Sequence, residues 1–281
     1  MPELSSTPAT AVANPATQPP AIVFDDVSVE FEGRPVLDGI SFQLLRGESK
    51  VLLGVTGAGK STVLKLALGL IRPERGRVLV LGHEITRMRE DELFGVRRNI
   101  GMVFQEGALF DSLTVYENVA YRLHEEHHIP EAEIEQRVRE ALRFVELEDT
   151  LSRMPSELSG GMRRRVAIAR AIVTRPEVLL YDSPTGGLDP VTSTTIIELI
   201  VKQRDVYRTS SLMVTHRLQD AFIMATHYFD ATTNQMRKLE AGNRRGAHTS
   251  FLMLRDGKIA FDGPLRDMVH SPDPYIREYI E

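Results

Sequence analysis

The segment Gly54-Val55-Thr56-Gly57-Ala58-Gly59-Lys60-Ser61-Thr62 carries the most explicit chemistry in the chain. Its glycines let the backbone turn tightly and aim N–H groups at one anion, Lys60 brings a mobile cation, and the Ser61 hydroxyl is a hard ligand for Mg²⁺. Such a loop grips the β and γ phosphates of a nucleotide. A chance glycine-rich turn could carry the same letters, so the flanks decide. Ser49 to Gly54 reads as a compact apolar strand and Thr62 to Leu70 has helical periodicity, which gives strand, loop and helix in the order a phosphate site needs. The helix adds its positive dipole end.

Two further groups fit that site. Asp182 closes the apolar run Val178-Leu179-Leu180-Tyr181, and an acid there can hold Mg²⁺ opposite the loop serine. Many strands end in a turn aspartate, but the glycine loop supplies the partner that a Mg²⁺ site requires. Leu158-Ser159-Gly160-Gly161-Met162 opens a helical pattern about twenty residues before Asp182. By itself Ser159 is a good helix cap. A serine with two glycines at a helix start is also an anion site, which gives the chain a second phosphate-binding surface.

These groups need an α/β scaffold. Alternation over Ile22–Phe31 and a short strand at Ile40–Leu45 predict an antiparallel β edge. Strands are also expected at Arg77–Leu81, Ile100–Phe104, Val178–Asp182, Ser211–Thr215, Ser250–Arg255 and Lys258–Asp262, with helices between many of them. Glu131–Val145 and Gly160–Thr174 read as helices with no strand between, so a helical insert is expected over about 98–174. Residues 1–21, rich in Ala, Pro, Thr and Ser, are expected to be a disordered tail. The domain proper is expected over 22–270, with a tail over 271–281.

At 281 residues and 42% hydrophobic content, the chain can bury a core. It has no cysteine, which excludes disulfides and thiolate chemistry. A net charge of -5 argues against nucleic acid as a partner, since counterion release needs clustered cations. No run approaches the roughly 18 to 20 apolar residues that span a bilayer, and no export signal is expected.

With these motifs in this order, the sequence resembles the ATP-binding cassette transporter ATPases from Ile22 to Glu281. The resemblance implies an α/β phosphate-loop cassette with a RecA-like core, an antiparallel β subdomain and a helical subdomain, and ATP and Mg²⁺ as cofactors. It also implies a head-to-tail homodimer or heterodimer, in which Ser159, Gly160 and Gly161 of one subunit close on the ATP held by the other. Phe31 would stack on adenine, Gln105 would sense Mg²⁺ and a membrane partner, Asp189 would lie in the loop crossing the dimer, and His216 would contact the γ phosphate. Taken singly, Phe31 reads as a core aromatic, Gln105 as a surface polar residue and His216 as a satisfied strand-end histidine; their order favours the functional readings.

Ser183 departs from the pattern. It occupies the position where the family usually places a glutamate that activates water, and a general base contributes typically 10²- to 10⁴-fold. The expectation is slow but real hydrolysis, with water positioned by His216 or an acid near the dimer seam. The competing expectation is a nucleotide-gated clamp with little hydrolysis of its own. Ser183 also stands before Pro184, where it could simply cap a turn.

The stretch Phe104-Gln105-Glu106-Gly107-Ala108-Leu109-Phe110, with Leu113-Thr114-Val115 and Glu117-Asn118-Val119, is similar to ATPases of the MCE or Mla-type lipid transport systems, as are Met162 and Asp273-Pro274-Tyr275-Ile276-Arg277. That similarity implies an integral membrane permease, a periplasmic MCE-domain lipid-binding subunit and phospholipid movement between bacterial membranes. The cassette would then sit peripherally on the inner face of the cell membrane. Leu109, Phe110 and Leu113 would help form the groove for a permease coupling helix, or would be an amphipathic core segment. His124-Glu125-Glu126-His127-His128 is expected to be solvated rather than metal-binding, and the basic stretch Thr232–Gly246 is expected to be a loop.

Overall fold

The computed structural model describes residues 18–126, 128–240 and 249–281. Most of the expected disordered tail, residues 1–17, and residues 241–246 of the expected basic loop lie outside the described residues, as do 247–248 and His127.

In chain order, a hairpin of β1 (Ile22–Phe31) and β2 (Arg34–Leu44) precedes β3 (Ser49–Leu53), which leads through the glycine loop into α1 (Lys60–Ala67). After β4 (Arg75–Val80), β5 (His83–Glu84) and α2 (Glu90–Arg97), β6 (Ile100–Val103) is followed by α3 (Val115–Glu125), α4 (Glu131–Phe144) and α5 (Gly160–Ile172). Then come β7 (Val178–Asp182), α6 (Pro190–Tyr207), β8 (Ser210–Val214) and α7 (Leu218–Thr226). A hairpin of β9 (His227–Asp230) and β10 (Gln235–Lys238) leads to β11 (Thr249–Arg255), β12 (Lys258–Pro264), α8 (Leu265–Val269) and α9 (Pro274–Ile280).

Six strands form one sheet in the order β12-β11-β3-β8-β7-β6. All its pairings are parallel except that of β12 with β11. Every residue of β3 and β8 is buried, as is β7 up to Tyr181, which is what a parallel sheet covered on both faces requires. Their carboxyl ends meet at one edge, where the glycine loop, Asp182 and Thr215 emerge. A second sheet, β2-β1-β4-β5, is antiparallel, with Phe24 stacked on Phe42 at 4.6 Å between ring centroids. β2 starts at Arg34, earlier than the expected Ile40, because it lies at the sheet edge and an edge tolerates the missing N–H of Pro35.

The helical region begins later than expected. β6 pairs with β7 from Ile100↔Val178, so the 98–104 stretch belongs to the core sheet and helices start only at Val115. Gly101 permits this, since a Cβ there would lie 2.4 Å from the Ala171 carbonyl oxygen on the helix packed above. Thr114 and Glu117 form a reciprocal cap for α3, and Ile134, Val138, Ala141 and Leu142 of α4 face the core at helical spacing. Two other expectations are corrected. The 232–246 stretch contains β10, so Arg237 and Lys238 lie on a strand paired with β9. The expected tail at 271–281 holds α9, capped by Asp273 and anchored by Ile276, which is 2% exposed. Among the described residues, no helix is long and apolar enough to cross a membrane.

Candidate active site

The glycine loop is held tightly from below. Gly54 has φ +148° and Gly59 φ +92°, and a Cβ on either would come within 2.8 Å of a neighbour, the Leu254 carbonyl oxygen and the Leu37 side chain respectively. Lys60, buried at the start of α1, donates from Nζ to the carbonyls of Gly54 and Val55, each at 2.8 Å. Burial pushes its ammonium below the ordinary lysine value, against the opposing pull of Asp182.

Above the loop lies a cleft of about 440 Å³. Of the residues singled out from sequence, Phe31, Thr56, Gly57, Gly59, Lys60, Ser61, Thr62, Gln105, Asp182, Ser183 and His216 line it. Gly54 and Ala58 are buried beneath, and Val55 is exposed on the loop. Phe31 is exposed at 48%, so it is a free aromatic face at the cleft rather than a core residue. The Ser61 hydroxyl stands 3.4 Å from the Asp182 carboxylate. Two hard oxygen groups at one end of a phosphate cleft suit Mg²⁺, so these residues fit that ion.

Ser183 is 9% exposed and adopts φ +45°, a left-handed conformation that costs a non-glycine residue energy. Its N–H donates to the Val214 carbonyl at 2.8 Å, and its carbonyl accepts from the Gly186 N–H at 2.9 Å. The backbone is thus fixed by β8 and by a tight turn. The side chain reaches no further than 3.5 Å from the Asp182 carboxylate. A hydroxyl there offers water no strong base.

Ser159, Gly160, Gly161 and Asp189 do not line this cleft. Ser159 accepts the Met162 N–H at 3.2 Å and caps α5, while Asp189 accepts the Thr192 N–H at 3.0 Å and caps α6. The two caps adjoin: a Cβ on Gly161 would lie 2.5 Å from Thr192 Cγ2. Bonds from Thr192 hold the Asp189 carboxyl below the usual carboxylate range.

Sequence reasoning missed several supporting groups. Val36 and Val214 line the cleft, and no pattern distinguishes them from core valines. Asp220, 2% exposed, accepts from the hydroxyls of Thr185 and Thr215 and pairs with Arg217 at 3.7 Å, tying the turn after Ser183 to the strand end before His216. Burial pushes its carboxyl up, opposed by those same partners. Arg164 donates to the carbonyls of Phe104 at 3.0 Å and Gly186 at 2.9 Å, bridging the segment before Gln105 to the turn after Ser183. His124 of the histidine-rich stretch lies 3.4 Å from Glu131.

A glycine-loop cleft at the carboxyl edge of a mainly parallel sheet, with an antiparallel β layer and a helical insert carrying Ser-Gly-Gly, is the architecture of an ATP-binding cassette. The chain belongs to the ABC transporter family, whose pattern matches residues 37–186. It is an ATPase subunit of that class. It is 37% identical to the protein TRIGALACTOSYLDIACYLGLYCEROL 3, chloroplastic, of Arabidopsis thaliana, over 90% of this chain and 71% of that one. It is 34% identical to the intermembrane phospholipid transport system ATP-binding protein MlaF of Haemophilus influenzae, over 88% of this chain and 94% of that one. Among solved structures it is similar to the dimeric post-hydrolysis state of the ATP-binding cassette MJ0796 bound to ADP and Pi, with TM-score 0.70 and 28% identity over 87% of this chain and 99% of that one.

Proposed function

We propose that this chain binds Mg²⁺-ATP in the Lys60 cleft and hydrolyses it slowly to drive phospholipid transport through a membrane permease. The observation that carries the reading is the placement of neighbouring residues on two surfaces. Gln105 lines the nucleotide cleft, while Phe104 lines a separate, mainly apolar groove of about 530 Å³ that also includes Phe94, Phe110, Tyr121 and Arg170. A permease helix seated in that groove would touch the residue adjoining the metal-sensing glutamine. Of Leu109, Phe110 and Leu113, only Phe110 lines this groove, and Leu109 packs against the core. The similarity to MlaF, an intermembrane phospholipid transport system ATP-binding protein, over most of both chains favours phospholipid as the cargo. An MCE-domain subunit as a further partner and a position against the inner face of the cell membrane rest on the resemblance of the Phe104–Val119 stretch, Met162 and Asp273–Arg277 alone.

In this reading Phe31 stacks on adenine, and Gly54 to Thr62 wrap the phosphates with Lys60 on the β and γ groups. Ser61, Asp182 and Gln105 would hold Mg²⁺, which neutralises charge developing on the γ phosphate. His216 would touch that phosphate, and water attacks phosphorus as ADP leaves. Ser159, Gly160 and Gly161 of a second cassette, identical or not, would close the site, with Asp189 along the seam. Because positioning and charge neutralisation supply much of phosphoryl transfer, turnover survives without a carboxylate at 183, though slowed.

The test is phosphate release and phospholipid transfer by the cassette with its permease in vesicles, comparing wild type, Lys60→Ala and Ser183→Glu. Wild-type turnover above the Lys60→Ala background, with lipid transfer that depends on it, is expected. A second reading rests on Ser183: ATP closes the pair as a ligand and hydrolysis is dispensable. Silence in wild type with turnover in Ser183→Glu would select that reading, and lipid-independent behaviour in both would sink the cargo.

A further inference from the structure

The last helix reaches the nucleotide site from behind. The Tyr279 hydroxyl on α9 lies 3.3 Å from the Gly54 N–H, which donates to it, and 3.3 Å from the Gly54 carbonyl, to which it donates. One turn earlier, the Tyr275 hydroxyl donates to the Leu254 carbonyl at 3.4 Å, and Leu254 is the residue whose carbonyl leaves no room for a side chain at Gly54. The helix is fixed in place: Ile276 is buried, Asp273 accepts the Tyr275 N–H at 2.8 Å, and the Arg255 guanidinium sits 4.8 Å from the Tyr275 ring centroid. Burial raises both phenols above the ordinary tyrosine value, so the hydroxyls stay protonated donors.

The Gly54 carbonyl therefore has two donors, Lys60 Nζ at 2.8 Å and the Tyr279 hydroxyl. Lys60 also holds the Val55 carbonyl. When phosphates enter, the ammonium must turn toward them, and both carbonyls lose the hydrogen bond that Lys60 donates. Val55 is 53% exposed and can turn to water, but Gly54 is buried, and a buried carbonyl without a donor is costly.

We infer that Tyr279 is a positioning residue of the phosphate loop, its hydroxyl keeping the Gly54 carbonyl bonded when Lys60 turns to the nucleotide. It touches neither substrate nor metal and acts through Gly54 and Lys60. The inference rests on the nucleotide reading of the cleft, but part of its test does not.

Tyr279→Phe keeps the ring and removes the hydroxyl. The Kd of the full chain for Mg²⁺-ATP should rise about five-fold, the effect of one neutral hydrogen bond. A contact made equally with and without nucleotide would cancel from Kd, so an anchoring role alone predicts no change. Lys60→Met mimics withdrawal of the ammonium in the unliganded protein. Thermal unfolding of wild type, both single variants and the double variant should then show the pair lowering Tm by about 2 °C more than the sum of the single effects. Additive Tm shifts, or a Kd unmoved by Tyr279→Phe, overturn the inference. If wild type binds no Mg²⁺-ATP, the nucleotide reading itself fails, and the thermal cycle still decides whether Tyr279 and Lys60 share the Gly54 carbonyl.

Discussion

The chain has two glycine-rich helix starts with serines, and the fold treats them differently. The Gly54–Thr62 loop is backed and walled: Gly54 and Gly59 press against Leu254 and Leu37, Lys60 is buried and bonded, and the exposed Thr56, Gly57 and Ser61 line a cleft whose other walls come from elsewhere in the chain. Ser159 and Gly160 are exposed, and this start packs along its side, where Gly160 lies near Leu188 and Gly161 meets Thr192. The first lines a pocket; the second is a surface. The difference teaches that a motif's letters specify a backbone shape, whereas enclosure depends on what the rest of the chain brings to it. We propose that a second cassette supplies the enclosure that the Ser159 surface lacks.

The largest effect expected from breaking this contrast is at the enclosed end. Lys60→Ala should reduce Mg²⁺-ATP turnover at least 10²-fold, as removal of one preorganised charge does, and phosphate release measures it. A variant that kept near-normal turnover would mean the cleft is not where the chemistry happens. Next is Ser183→Glu, which places a carboxylate beside Asp182 on a backbone already fixed by Val214 and Gly186. Turnover should rise between about 10- and 10³-fold, less than the full value of a general base because the left-handed backbone strains a larger residue. No gain would show that another group already acts on the water.

The exposed end calls for a mixing experiment. Gly161→Asp puts an anion where phosphate is proposed to sit and a Cβ against Thr192, so alone it should be inactive. Mixed with Lys60→Ala, it should recover part of the wild-type rate, because a mixed pair contains one site with an intact lysine facing an intact Ser-Gly-Gly. If the Ser159 surface served its own chain's cleft, mixing would recover nothing.

What could be read beforehand divides along the same line. The phosphate loop, Asp182 and the flanking strand and helix were legible because each follows from local spacing. That Phe31, Gln105 and His216 share one cleft followed only from resemblance, since they lie on three elements joined by long-range pairing. The Asp220 and Arg164 links and the approach of Tyr279 to Gly54 were not legible at all. A lone buried acid, an arginine in a basic helix and a tyrosine near the chain's end carry no local pattern. The helical boundary was misplaced for a related reason: a strand at Ile100–Phe104 was expected, but nothing local shows that it pairs with β7, formed far along the chain, and so belongs to the core sheet rather than to the insert.

The smallest expected effect separates folding from function at the Ser159 surface. Asp189 caps α6 through Thr192 beside Gly161, so it contributes to stability as well as standing on the proposed seam. Asp189→Asn keeps a side-chain acceptor and should lower Tm by at most about 2 °C. Because the carboxyl is held below its ordinary value in the folded chain, its ionised form stabilises the fold above the ordinary aspartate pKa, and that contribution disappears as pH falls through the lowered folded value. The Tm difference between wild type and Asp189→Asn should therefore be present at pH 7 and vanish in strong acid. If turnover falls while Tm at neutral pH does not, Asp189 acts across the seam between cassettes; if both fall together, its cap on α6 accounts for it.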